Sequence, residues 1–265
     1  MGRAPSRQSV AERFAQPCLR MIQTVLRLAI DRRVTTSIQE DAPAQRLLHP
    51  YSRVLVQDST IIELPGWLFD TFSGVANGAS QVCNARIQAI YDLKGMCFEA
   101  FSIDAYSKND LSAAPDLALR PGDLVLRDRG YLSVGEIQRQ AQVGAHFIYR
   151  HKTGALYRDV DSDAPLDLPR LLHRHGSLDR EVALNDAPRT RVRLVAAPVN
   201  DETANVRRMK AKKEMRGHNP SAAVLELMGW TIFITNLGPE VSFRTLLETY
   251  GLRWRIEVIF KAWKS

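Results

Sequence analysis

RVLVQDSTIIELP, residues 53–65, is the stretch on which the fold turns. Val54, Leu55 and Val56 are consecutive apolar residues that favour a strand; the run stops at Asp58, and Pro65 with Gly66 closes the unit. It reads as a short buried strand that delivers a carboxylate at its end. An aspartate ahead of Ser59 and Thr60 is also a common turn former, so the residue taken singly decides nothing. The chain downstream decides more.

Gly74, Asn77, Gly78 and Ser80 predict a loop, and RIQAIYDLKGMCFEAFSID then holds two β-like runs on either side of Leu93, Lys94 and Gly95, the pattern of a hairpin. A short helix is expected over 111–119. PGDLVLRDRGYLS supplies a Pro-Gly turn, a strand over 123–126 and a second aspartate, Asp128, just past its end. Ser133, with Glu136 three residues on, predicts a capping box opening a helix that runs to about Val143. HFIYR, 146–150, is a further strand, and GWTIFITNL, 229–237, another, bounded by Asn236 and Pro239. The order strand, hairpin, helix, strand, helix, strand and last helix implies an α/β fold with a ribonuclease H-like core, a mixed sheet flanked by helices. In such a core the first and fourth strands lie side by side, which would bring Asp58 near Asp128.

Residues 152–227 interrupt that order. They are rich in Asp, Pro and Arg, carry alternating runs such as RTRVRLVAAPV, and include the basic cluster Arg207, Arg208, Lys210, Lys212, Lys213 and Arg216. The expected organisation is an N-terminal helical region (1–48, with an amphipathic helix over 16–30), the first part of the core (49–151), an inserted β-rich and basic subdomain (152–227), and the final strand and helix (228–265).

The last segment, YGLRWRIEVIFKAWKS (250–265), has helical spacing with an uneven wheel. At about 100° per residue, Tyr250, Arg253, Glu257 and Lys264 fall within an arc of about 60°, opposite Leu252, Ile256, Ile259 and Trp263. Glu257 could simply pair with Arg253 or Lys261 on a solvated face. Alternatively, the fold brings it to Asp58 and Asp128. Three carboxylates without soft ligands suit Mg²⁺ or Mn²⁺, and two such ions can activate one oxygen and stabilise the leaving oxygen of a phosphodiester.

The segment 250–264 has Tyr250, Arg253, Glu257 and Lys264 in a Y-x2-R-x3-E-x6-K arrangement, and in this it resembles the DDE transposases of the IS-four type of bacterial insertion sequence. DSTII and LRDRGYLS look like that family's two aspartate segments, and WTIFITNL like its strand ahead of the glutamate helix. The resemblance implies that Asp58, Asp128 and Glu257 are catalytic and hold two Mg²⁺ or Mn²⁺ ions. It implies that Tyr250, Arg253 and Lys264 contact DNA phosphates, that Trp254 stacks on an unpaired base, and that Arg207, Arg208, Lys210, Lys212 and Lys213 face DNA, although packing explains Trp254, and a solvated helix face that cluster, as well. Family members carry a β-rich insertion between the second aspartate and the glutamate, here 257 − 128 = 129 positions apart. The partners implied are double-stranded DNA, as inverted-repeat ends and as target, and a second copy in a synaptic homodimer. The activity implied is metal-dependent strand cleavage and strand transfer, in the cytoplasm of a bacterium at its nucleoid.

Composition agrees with these expectations. Lys and Arg number 36 against 29 Asp and Glu, a net charge of +7 that favours a polyanionic partner. Cys18, Cys83 and Cys97 form no CxxC motif, which argues against a disulfide framework or a structural zinc site and fits a reducing cytosol. No apolar run reaches the length of a membrane span. MGRAPS matches a short lipidation pattern of the kind chance supplies, and the Arg-rich start lacks a cleavage site, so both are read as ordinary structure. With 57 residues before Asp58 and one after Lys264, the chain is shorter at both ends than the family pattern. The expected alternative is therefore a truncated, catalytically silent remnant that binds DNA ends or inhibits the full-length enzyme.

Overall fold

The computed structural model describes residues 42–74, 82–106, 117–214 and 219–264, with Pro115 and five positions between 20 and 28. β1 (Val54–Glu63) lies antiparallel to β2 (Asn84–Asp92) on one side and parallel to β4 (Leu124–Arg127) on the other. β2 pairs with β3 (Cys97–Ala105), and β4 pairs in parallel with β5 (His146–Arg150). Beyond β5 the sheet continues antiparallel through β9 (Trp230–Thr235), β8 (Arg191–Pro198), β7 (Leu178–Leu184) and β6 (Tyr157–Arg158). The result is one mixed sheet of nine strands flanked by helices, consistent with a ribonuclease H-like fold. The strands within 152–227 extend this same sheet.

Strand alternation sends odd and even residues to different cores. Val54 and Val56 of β1, with Leu124 and Leu126 of β4, pack toward α1 (Ala42–Leu48), α6 (Phe243–Gly251) and α7 (Trp254–Lys264). Leu55, Val125 and Phe147 face the other way, against α2 (Val134–Val143) and α3 (Leu168–His175). α7 is anchored by Ile256, Ile259 and Phe260, all buried, each worth about 1.5–3 kcal/mol of apolar burial. Replacing Ile256 by a charged residue would place that charge in this core and detach the helix. The remaining helices, α4 (Asp201–Glu214) and α5 (Ala222–Leu227), precede β9.

Several expectations change. β1 does not stop at Asp58 but runs ten residues to Glu63. Asp58, Ser59 and Thr60 favour turns locally, yet Thr60, Ile61 and Ile62 are β-branched and pair residue by residue with β2, so sheet pairing overrides the local preference. The fourth strand starts and ends one residue later than expected, because Asp123 turns inward to a buried ion pair with Arg53 at 2.6 Å. Ser133 does accept from the Glu136 N–H, but Glu136 does not close the box: its carboxylate goes to Arg127 and Arg139. The terminal helix is two helices. Around Leu252 and Arg253 the bonds tighten to i→i−3, as in Arg253 N–H to the Tyr250 carbonyl, just after the weak helix former Gly251.

Of the helix expected over 16–30, the described positions Arg20, Met21, Thr24, Val25 and Leu28 are helical; its proposed apolar residues lie outside the described residues. The same holds for Arg216, Cys18 and most of the loop near Gly78. Most of the helix expected over 111–119 also lies outside them, and Leu117 to Arg120 carry no helix.

Candidate active site

The parallel register of β1 and β4 brings the two aspartates together. Val54 lies beside Leu124 and Val56 beside Leu126. Two residues on along each chain stand Asp58 and Asp128, on the face that carries α7, and the charge of Asp128 acts on the Asp58 carboxyl. β4 pairing ends at Arg127, so both carboxylates emerge where the ladder opens.

α7 supplies the third carboxylate through Arg253, in the turn that precedes it. Arg253 donates at 2.8 Å to Asp58 Oδ2 and at 2.8 Å to Glu257 Oε1. The anticipated pairing of Glu257 with Arg253 therefore exists, but it faces the site. Arg253 is buried, and its guanidinium spans two members of the acidic group instead of a free surface. Tyr250, also buried, donates from its hydroxyl at 3.4 Å toward the Arg127 carbonyl and Asp128 Oδ1. It braces the second aspartate from within. Although Tyr250 belongs to the preceding helix, the break at Leu252 still aims both side chains at one place.

The electrostatics match this geometry. The Asp58 carboxyl is pushed above the usual aspartate range, first by burial and then by Glu257 and Asp128, against the opposing pull of Arg253 and the Ser59 N–H. Ionising Asp58 therefore destabilises the fold as pH rises past the ordinary aspartate value, and a cation at the site would offset that cost. Arg253 is held charged: burial, the largest influence, disfavours its cation but is outweighed by Tyr250, Asp58, Asp128 and Glu257. Burial raises the Tyr250 phenol, and Arg150 and Arg253 pull it the other way.

An all-carboxylate donor set fits a hard divalent cation, and Arg253 now supplies the neighbouring positive charge. The three carboxylates are not drawn into one tight group. Among the described residues, the donors within 4.8 Å of one another belong to Asp92, Cys97 and Glu99, elsewhere on the hairpin. That cluster is structurally committed. Asp92 accepts from the backbone N–H groups of Val54, Lys94 and Gly95, and Glu99 pairs with Arg53.

Arg150 escaped the sequence reading. The β4–β5 register sets Tyr149 beside Arg127, and one residue further it sets Arg150 beside Asp128. Its charge acts on Tyr250 and on Arg207, and neither Arg150 nor Arg207 has an ion-pair partner among the described residues. The signal was present in HFIYR, a strand ending on arginine, but its use required the register.

The other anticipated DNA contacts separate. Trp254 is 57% exposed, its ring 6.0 Å from the Arg253 guanidinium carbon. Lys264 is exposed, two turns beyond Glu257 on α7. Arg207 donates to the Trp230 carbonyl and Thr231 Oγ1, and Arg208 to the Leu225 carbonyl and Asn205 Oδ1, so both are engaged in holding α4. Lys210, Lys212 and Lys213 are exposed.

One mixed sheet thus brings two strand-borne aspartates and a helix-borne glutamate toward one place. Residues 50–265 match the model of the transposase DDE domain, and the chain belongs to that family. It is 25% identical over 288 residues to a transposase for insertion sequence element IS231F from Bacillus thuringiensis subsp. israelensis, covering 100% of this chain and 60% of that protein. It is 28% identical over 239 residues to that of IS231C from Bacillus thuringiensis subsp. berliner (81% and 50% covered), and 24% identical over 250 residues to that of IS1151 from Clostridium perfringens (83% and 52%). The chain thus spans about half the length of the curated relatives it matches.

Proposed function

We propose that this chain is the catalytic portion of a transposase that cleaves double-stranded DNA at the ends of an insertion sequence and joins them to target DNA. The observation that supports the reading is Arg253, which joins Asp58 to Glu257 beside the end of the β1–β4 ladder, one residue before Asp128. Asp58, Asp128 and Glu257 would hold two Mg²⁺ or Mn²⁺ ions, which when bound activate the attacking oxygen and stabilise the leaving one. The protein's own groups bind and orient. Arg253 neutralises Asp58 and Glu257, and its planar fork would suit a phosphate as well as a carboxylate. Tyr250 keeps Asp128 in place, Arg150 favours a polyanion beside it, and Trp254 offers an exposed ring for an unpaired base.

Residues 49–151 and 228–265 form the core in this reading. Residues 152–227 are an insertion that carries α4 along the DNA, and 1–48 are a helical N-terminal region. Two copies act together in a synaptic homodimer, in the bacterial cytoplasm at the nucleoid. No described helix is long and apolar enough to cross a membrane.

The test is Mg²⁺-dependent nicking of DNA bearing the ends of the encoding element. Asp58→Asn should reduce nicking by about 1,000-fold while DNA binding persists, a loss of about 4 kcal/mol of transition-state stabilisation. Equal nicking by wild type and variant would overturn the assignment.

A further inference from the structure

Behind the acidic group, on the opposite face of the same strands, runs a row of buried polar side chains. Gln57, Arg127 and Tyr149 are neighbours in register across β1, β4 and β5, one residue before Asp58, Asp128 and Arg150. Gln57 is 1% exposed and Arg127 4%, and among the described residues both atoms of the Gln57 amide and the Arg127 Nε lack a partner. Among the described residues Arg127 has one ion pair, to Glu136 of α2 at 2.7 Å, and Glu136 is held in turn by Arg139.

A buried cation with one carboxylate partner, even with the Tyr149 hydroxyl beside it, is a poor way to stabilise a core. Taking the pair out of water costs several kcal/mol, and apolar residues of the same volume commonly do as well or better. The position explains its use. β4 has only four residues, and Asp128 lies beyond the last pair of its ladder, so the ladder does not hold it. Residue 127 is instead pinned from both faces: its side chain to Glu136 below the sheet, its carbonyl to the Tyr250 hydroxyl above it.

We infer that Arg127 is a positioning residue for Asp128: its ion pair with Glu136 fixes the end of β4, and so sets the affinity of the acidic group for a divalent cation. The inference rests on the metal-binding reading above. A ligand-bearing strand end that moves by about 0.5 Å leaves productive geometry, and loss of an outer contact that orients a metal ligand typically weakens metal affinity about 10- to 100-fold.

The experiment titrates the 265-residue chain with Mn²⁺ alone, followed by electron paramagnetic resonance, beside thermal unfolding of the same samples. Asp58→Asn serves as the control and should abolish tight binding. The double variant Arg127→Met with Glu136→Gln removes the pair without stranding a charge, so folding is retained while the Mn²⁺ dissociation constant rises about 10-fold. Arg127→Lys, which keeps the cation, should recover part of that loss. A folded double variant that binds Mn²⁺ within about twofold of wild type overturns the positioning role and leaves the metal reading intact. Binding that is indifferent to Asp58→Asn overturns both.

Discussion

β1, β4 and β5 run parallel, whereas β9, β8 and β7 alternate in direction, and the two halves of the sheet use their charges differently for that reason. Parallel strands carry equivalent positions to one level, so Asp58, midway along β1, Asp128 and Arg150 collect where the β4 ladder ends, with Arg253 as the partner of Asp58. Antiparallel neighbours can satisfy each other across the ladder. Arg193 of β8 reaches Asp179 of β7 at 2.7 Å, and Arg191 reaches Glu181 at 3.3 Å. The charged residues of the antiparallel half stabilise the fold; those of the parallel edge, in the function proposed above, serve a ligand.

The sharpest way to break this comparison is to make the same substitution in each half. Asp128→Asn should lower metal-dependent nicking by about 1,000-fold, roughly 4 kcal/mol, with little effect on folding. Asp179→Asn should leave nicking within a few-fold of wild type and lower stability by about 1 kcal/mol, because Asp179 is half-exposed and its pair is partly screened. Assays of nicking and of urea unfolding on both variants distinguish the two roles. Similar losses of nicking for both would dissolve the distinction between the halves.

At the seam, His151 follows β5 and donates its backbone N–H to the Ile232 carbonyl of β9. Burial holds its imidazole down to about 4, and Nδ1 meets the Tyr157 hydroxyl at 2.7 Å. The unfolded chain takes up a proton near pH 6.5 while the folded one does not, so this contribution to stability is present above pH 6.5 and is lost as pH falls toward 4. The full difference is about 3 kcal/mol. His151→Gln should flatten that part of the profile, read as the difference between wild-type and variant unfolding free energies at pH 7.5, 6 and 5. Parallel profiles would show that the seam is not dry.

Legibility followed the same division. In the parallel half, apolar runs that give way near Asp58, Asp128 and Arg150 exposed strand positions, and the expected order of strands matches the observed sheet. Even there, the length of β1 was hidden, since Ser59 and Thr60 are turn-like until β2 pairs with them. Arg150 looked like an ordinary strand end because its neighbour is set by a register that spans 22 residues of sequence. The helix break at Leu252 is equally silent: Tyr250, Arg253 and Glu257 suit one continuous wheel, and the tertiary demand that both Tyr250 and Arg253 reach the aspartates is not written in spacing. In 152–227, strand character was visible but its attachment to β9 was not, because pairing there depends on long-range contacts.

Arg150 and Arg207 test the edge itself. Arg150→Ala should weaken binding to end DNA about 10-fold and lower the salt dependence by about one counterion, as expected for loss of a phosphate contact. Arg207→Ala should act chiefly on folding, because its guanidinium already serves the Trp230 carbonyl and Thr231. Affinity measured across a salt series separates the two effects. An Arg150 variant with an unchanged salt slope would remove it from the DNA path.

Smallest of all is the change expected from the exposed lysines of α4. Lys212 and Lys213 lie in the last turn of a helix whose acidic first turn holds Asp201 and Glu202, an order that favours the helix dipole whether or not DNA is near. If α4 also lies along DNA, replacing both lysines by alanine should lower affinity about threefold to tenfold, uniformly across sequences, with the nicking rate at saturating DNA unchanged. If they serve only the dipole, the same variant loses a few tenths of a kcal/mol of stability and no affinity. The two outcomes differ in the salt slope, which falls by up to about two in the first case and stays fixed in the second. The comparison between the halves is thereby carried to a helix whose charges are neither paired across a ladder nor gathered at the parallel edge.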